Sequence, residues 1–193
     1  VISGFRERHK HAAQRLQVGD RFLCYVTRIM RWVGVLEVCS PPFEDSSPIF
    51  FAENDPFKIR FKVKPLVWLE LEQAIPMYED SVWNELAFTR GQLKGTSTWT
   101  GKIRSSLTQL ELHDAELLEA LLFKQATSGM LYPFTENDRK KLAIHTVRRL
   151  DKDVAVTVPE ESSTNSEEPI QPTEVRESIK IQSLLAEIGS LMG

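Results

Sequence analysis

Three stretches of this chain alternate apolar and polar positions with period two, and others follow a helical period. From Arg21 to Thr27, Phe22, Cys24 and Val26 fall on one side and Leu23, Tyr25 and Thr27 on the other, with both sides largely apolar. That pattern predicts a strand buried on two faces, as in a small closed sheet. Trp32 to Cys39 predicts a second strand around Gly34, joined to the first through Arg28–Arg31 as a β-hairpin. Phe57 to Leu69 predicts a third. Its Phe57, Ile59, Phe61 and Val63 alternate with Lys58, Arg60, Lys62 and Lys64, a core side against a basic ladder, and Pro65 marks a bend or edge.

Helical spacing appears first between Phe5 and Leu16, where Phe5, Ala12, Ala13 and Leu16 share a face, and Gly19 suits a left-handed cap after it. Ser81 to Phe88 predicts a short helix with Val82, Trp83 and Leu86 inward. Asp114 to Ala126 predicts a longer one with a stripe of Leu117, Leu118, Leu121 and Leu122. Thr135 and Asp138 have capping-box spacing, ahead of a basic helix through Arg139, Lys140, Lys141, Arg148 and Arg149. Phe43 to Pro56 reads as a long loop in which Ile49, Phe50 and Phe51 interrupt polar residues, and Gly91 to Ser106 as an ordered loop around Trp99. The expected class is α+β, with one domain over residues 1–150. Residues 151–175 read as an acidic flexible linker. Residues 176–193 regain helical period through Ile181, Leu184, Leu185 and Ile188, as the start of a truncated downstream domain or an interaction helix. A chain that starts at Val1 and stops within an apolar pattern reads as an excised piece.

Charge changes the picture. Residues 1–31 hold seven Lys/Arg (Arg6, Arg8, Lys10, Arg15, Arg21, Arg28, Arg31) against Glu7 and Asp20, in a chain of net charge −3. Residues 151–177 hold eight acids against Lys152 and Arg176. A basic cluster followed at once by aromatic strands is the footprint of a polyanion-binding face beside a stacking surface; a solvated helix face is the plainer alternative. No apolar run approaches the ~20 residues of a membrane helix. Cys24 and Cys39 lie in apolar strand patterns with no CxxC partner, which suits buried thiols of a reducing cytoplasm. His9, His11, His113 and His145 lack metal-ligand spacing, and there is no nucleophile elbow, phosphate loop or HExxH. The expectation is therefore a non-enzymatic segment without cofactor or metal.

The string Ser3-Gly4-Phe5-Arg6, with His9-Lys10 and Ala13, then Val18-Gly19-Asp20-Arg21-Phe22-Leu23-Cys24-Tyr25-Val26-Thr27, resembles the EVE domain family. So do Gly34-Val35-Leu36-Glu37-Val38, Phe43-Glu44-Asp45 with Pro48-Ile49-Phe50, and the Val63-Lys64-Pro65 step. The resemblance covers about residues 1 to 125. It implies a PUA-like mixed β-barrel with flanking helices, related in shape to YTH and ASCH domains. Two features depart from it. The family begins with a hydrophobic strand before Ser-Gly, which here is either cut away or reduced to Val1 and Ile2, and Phe50 stands where many relatives carry Trp.

The resemblance also implies a reader of modified bases in DNA or RNA, fused to a nuclease in bacterial defence. Such a reader takes an everted base into an aromatic pocket, where stacking contributes about 1–3 kcal/mol per base. The candidate pocket residues are Ser3, Gly4, Phe5, Tyr25, Thr27, Trp32, Phe50 and Trp68; Trp32 and Trp68 also suit core positions. Arg6, Arg8, Lys10, His11 and Arg15 are the candidate phosphate contacts, which carry affinity without sequence information. Lys58, Arg60 and Lys62 extend that track, or act as strand-edge charges against aggregation. The alternative function is a protein-interaction module that binds no nucleic acid.

Overall fold

The computed structural model describes residues 1–51, 54–142, 145–149 and 152–156. The chain divides into two compact units, Val1–Phe134 and Thr135–Gly193. In the first, strands β1 (Ile2–Phe5), β2 (Arg21–Val26), β3 (Arg31–Val38), β4 (Phe43–Glu44), β5 (Ile59–Trp68) and β6 (Ile75–Pro76) form one antiparallel sheet. The main path runs β1-β5-β3-β2, with β4 added on β5 and β6 on β3. In a flat sheet, three inter-strand steps would hold β1 and β2 roughly 14 Å apart. Yet the rings of Phe5 on β1 and Phe22 on β2 are 5.5 Å apart, and both touch Phe61 of β5 edge-on. The sheet therefore curls into an antiparallel half-barrel, consistent with the expected PUA-like barrel.

The inner face of the curl buries Leu36, Val38, Ile59, Phe61 and Val63, with Phe5, Phe22, Cys24 and Trp68 packed against them. The first helical segment closes this face, a 3-10 turn (Glu7–His9) running into α1 (Lys10–Ala13), through the buried Ala13 and the partly buried Leu16. The sequence pattern had placed a helix from Phe5 onwards. Phe5 instead ends β1, because the pairing Ile2↔Lys62 to Phe5↔Ile59 inserts its ring into the inner cluster, a partner more than fifty residues away that local spacing does not reveal.

The outer face is covered by α2 (Asp80–Trp83), α3 (Gly101–Arg104) and α4 (Leu112–Ser128) with their loops. Leu118 and Leu122 of α4 are fully buried against Val35, Val67, Trp83 and Trp99, each contributing about 1.5–3 kcal/mol through burial. Gly129 ends α4 in the left-handed conformation (φ 61°), its N–H donating to the Gln125 carbonyl at 2.9 Å. Gly19 takes positive φ (98°) as expected, and β3 buries nearly all of its length.

Two register shifts decide which face each aromatic residue meets. Cys24 pairs with Gly34 but Tyr25 pairs with Trp32, leaving Val33 as an extra residue on β3. Simple alternation groups Trp32 with Leu36 and Val38 inside the curl. The bulge reverses its side, so Trp32 joins Val35 in the outer core. The second shift lies where Val35 pairs with Val67 and Leu36 with Pro65. Pro65 therefore sits beside a bulge in a continuous β5, a position a sheet tolerates without its N–H.

In the second unit, α5 (Glu136–Leu142) starts with the expected reciprocal cap: the Asp138 amide donates to Thr135 Oγ1 at 3.2 Å and the Thr135 amide to Asp138 Oδ2 at 3.0 Å. The basic helix expected to continue from there does not extend to Arg148 and Arg149. They lie on β7 (His145–Arg149), paired antiparallel with β8 (Lys152–Val156), a strand where the composition suggested linker. The rest of that linker and the amphipathic segment at 176–193 lie outside the described residues.

Candidate nucleic-acid interface

The eight residues expected to line one pocket occupy three separate places. Phe5 and Trp68 are on the inner face, with Trp68 laid over Gly34, where the absence of a side chain makes room for the indole. Ser3, opposite Phe61, is half-buried on the same strand as Phe5. Tyr25 and Trp32 meet on the outer face, ring centroids 4.7 Å apart, while Thr27 is half-buried in the turn after β2. Gly4 and Phe50 meet on the outer face at the far end of β1 and β5. Trp32 is 2% exposed and Phe50 6%. Neither offers a ring face to a base, so both are corrected from stacking surfaces to core residues. The bulge at Val33 is the cause for Trp32. For Phe50 the cause is the loop after β4, which folds over Gly4.

The basic ladder of β5 also needs correction. Lys62 and Lys64 are exposed as expected, but Arg60 is completely buried. Its Nε donates to the Phe57 carbonyl at 2.9 Å; Nη1 donates to Asp45 Oδ2 at 2.6 Å and Ser47 Oγ at 2.9 Å. Its Nη2 donates to the Ser47 carbonyl and to Asp55 Oδ2 at 3.2 Å. A guanidinium has five N–H donors, and all five have acceptors here. Arg60 has nothing left for a phosphate. Arg31 is likewise internal: it donates to the carbonyls of Leu71, Ala74 and Pro133 and lies 5.3 Å from the centroid of the Phe134 ring.

The turn from Arg6 to Arg15 keeps more of its expected character. Arg8, His11 and Arg15 are exposed, and Arg6 and Lys10 are partly so. Lys10 reaches Glu44 at 2.5 Å and Glu7 at 3.5 Å. The Lys10–Glu44 hydrogen bond raises the ammonium pKa and lowers the carboxylate pKa, so part of this charge is already answered within the protein. In place of the expected single helix, a 3-10 turn leads into a four-residue α1. Arg8 Nε donates to the ring of the buried His9 at 3.2 Å.

Arg6 links this turn to an aromatic group that the sequence did not single out. Its guanidinium lies 5.7 Å from the centroid of the Phe57 ring. Phe51 stacks on Phe57 (5.7 Å, 23° between planes), and Phe50 meets Phe57 edge-on at 5.6 Å. The buried Asp55 holds both limbs of the loop, accepting the Phe50 amide at 2.8 Å on one oxygen and the Phe57 amide at 2.9 Å on the other. Phe51 is visible in the sequence only as an apolar interruption of a polar loop, and Phe57 only as the first core-side residue of the third strand. The pairing of Asp45 and Asp55 with Arg60 carried no local signal. Among the described residues, no group of three or more His, Cys, Asp or Glu side chains is arranged to hold a metal ion. No described helix is long and apolar enough to cross a membrane.

No family model matches the chain. It is 28% identical over 133 residues to the UPF0310 protein PYRAB08750 of Pyrococcus abyssi, an alignment covering 63% of this chain and 86% of that protein. It is 26% identical over 133 residues, with the same coverage, to the UPF0310 protein PH1033 of Pyrococcus horikoshii. Neither name describes an activity. By sequence, the chain is a distant relative of the archaeal UPF0310 proteins.

Proposed function

We propose that this chain binds nucleic acid, DNA in the first instance, and reads one modified base everted against the half-buried Phe51. The observation that carries this reading is the junction at Arg6, where a basic turn meets a stacked aromatic pair through a single guanidinium. Phosphates along the turn supply affinity, and the half-buried Phe51 supplies a ring for the base. The EVE resemblance supports the same assignment, and with it a role as the reading part of a bacterial defence protein that also carries a nuclease. Arg31 and Arg60, which raise the sequence's cationic tally, are buried and contact no phosphate in it.

The test is fluorescence anisotropy with modified and unmodified oligonucleotides across a salt series. Of the seven cations in residues 1–31, Arg31 is buried, Arg21 pairs with Glu119 and Lys10 with Glu44. Burial removes Arg31 alone from the possible phosphate contacts of this stretch, so log K should fall against log salt with a slope no steeper than about −5, the limit for the other six cations. Phe51→Ala should lower affinity for the modified oligonucleotide by about tenfold, and Arg15→Ala should weaken both oligonucleotides alike. Failure of every oligonucleotide to bind would refute the reading. Retained binding to a protein partner that is lost on removing residues 151–193 would favour an interaction module instead.

A further inference from the structure

We propose that Arg60, with Asp55 and Asp45, is a positioning group that sets base selectivity without touching the base. The inference rests on the reader assignment above and names what controls it. Arg60 is the second residue of β5, paired with Gly4 on one side and Phe43 on the other, so its Cα is fixed by two ladders. From that fixed point its five N–H groups reach both described limbs of the aromatic loop. Asp45 and Ser47 belong to the first limb, Asp55 and the Phe57 carbonyl to the second. Its guanidinium carbon also lies 5.6 Å from the centroid of the Phe50 ring.

Asp55 then passes this constraint to the aromatic residues, through its bonds to the Phe50 and Phe57 amides. Asp45 in turn accepts the Ser47 amide and hydroxyl, each at 2.8 Å, which closes the first limb on itself. The Phe50–Phe51 segment is thus tied to the sheet through a carboxylate–guanidinium–carboxylate relay rather than through a backbone ladder. A planar fork of this kind fixes direction as well as distance, which a lysine cannot do. The loop's ring positions follow from the fork, and selectivity between two bases of similar size depends on ring positions to a fraction of an ångström.

The experiment combines amide hydrogen exchange and oligonucleotide binding on the full chain. Its variants are Arg60→Lys and, should that variant lose its fold by circular dichroism, Asp45→Asn and Ser47→Ala, which each remove one acceptor at the loop. The expected result has three parts. The Phe50 and Phe57 amides are protected in the unaltered chain and exchange faster in the variants. The affinity ratio of modified to plain oligonucleotide falls about tenfold, the size of one lost base contact. Affinity for the plain oligonucleotide, set by the basic turn, stays within about twofold. Faster exchange with an unchanged ratio would make the relay merely structural and overturn the inference, as would unchanged exchange. An unaltered chain that binds no oligonucleotide would instead remove the reader assignment itself, a distinct result.

Discussion

Two glycines of the sheet make opposite demands on their surroundings, and replacing each by alanine separates backbone from side-chain constraint. A Cβ on Gly34 would stand 2.5 Å from the Val67 carbonyl oxygen and 2.8 Å from Trp68 Cε3. A Cβ on Gly4 would stand 2.3 Å from Phe50 Cε2, 2.8 Å from its Cζ and 3.0 Å from Phe57 Cβ. The Val67 oxygen belongs to β5 within the β3–β5 ladder, flanked by the pairs Gly34↔Trp68 and Val35↔Val67. It retreats only if strands separate. Gly34→Ala should therefore cost about 2–3 kcal/mol, the upper part of the overpacking range. For a unit of this size that lowers Tm by roughly 8–12 °C. The Phe50 tip is a side-chain end, and its ring turns aside while the Asp55 bond holds its backbone in place. Gly4→Ala should cost only about 1–2 kcal/mol in lost ring burial.

Thermal unfolding of single and double variants distinguishes the two cases. In a Phe50→Ala background most of the Gly4→Ala cost should vanish, because the atoms it strikes are gone. In a Trp68→Ala background most of the Gly34→Ala cost should persist, because the carbonyl remains; the two residues are coupled only through the indole. If removing the indole abolishes the Gly34→Ala cost, the backbone clash is not the controlling term and the reasoning fails. A Gly34→Ala variant as stable as the unaltered chain would refute it outright.

Thiol and phenol chemistry offer further tests. Cys39 is exposed, whereas the Cys24 thiol is enclosed and its pKa pushed up to about 12 by burial; a thiol reagent at pH 8 should modify one cysteine promptly and the other only after unfolding. Burial, with Tyr78 adding to it, holds the Tyr25 hydroxyl protonated well above its ordinary range. Because the unfolded chain loses that proton near pH 10 while the folded one keeps it, stability should decline as pH rises past about 10, and ultraviolet titration should show one tyrosine ionising only with unfolding. Arg31→Met removes the donor to three carbonyls, including Pro133 of the segment after α4. It should cost about 2–4 kcal/mol and open a protease site near Pro133, checked by Tm and limited proteolysis. An unchanged cleavage pattern would show that the Gln125 bond to Met130 and the Tyr132 amide bond to Glu72 hold that segment without Arg31.

Local periodicity was enough to place β2, β3, β5 and α4, because each carries its own apolar alternation or stripe over six or more residues. It failed where a partner distant in sequence overrides local preference. Phe5 is a strand residue because β5 offers it an edge. Trp32 changes face because one residue, Val33, is left out of the ladder. Period-two reasoning has no term for a bulge, and every assignment past one inverts. The alternation did place Arg60 on the correct side of β5, opposite Ile59 and Phe61. What it could not show is that a loop with two aspartates folds over that side and consumes every donor.

The arginines carry the broader lesson for reading a basic sequence. Charge counting treats each guanidinium as one unit of attraction for a polyanion, but a guanidinium is also five directed donors, and its fate depends on who accepts them. Arg31 and Arg60 both lie on central strands, where leaving the sheet for solvent would expose the apolar loops above them. Carbonyls and carboxylates from those loops accept their donors instead, and the positive charge stays in the interior as a fastener. Arg8 and Arg15 are exposed on a short turn, and Arg8 gives its Nε to the ring of the buried His9. The cations placed to meet a phosphate are thus those whose heads the fold leaves at the surface. Under the proposed reading, affinity and selectivity have separate physical origins, affinity in the exposed heads of one turn and selectivity in the buried fork beneath one loop. Arg15→Ala and Arg60→Lys should then combine additively in binding free energy, whereas Arg6, which touches the Phe57 ring from the turn, is where additivity should fail.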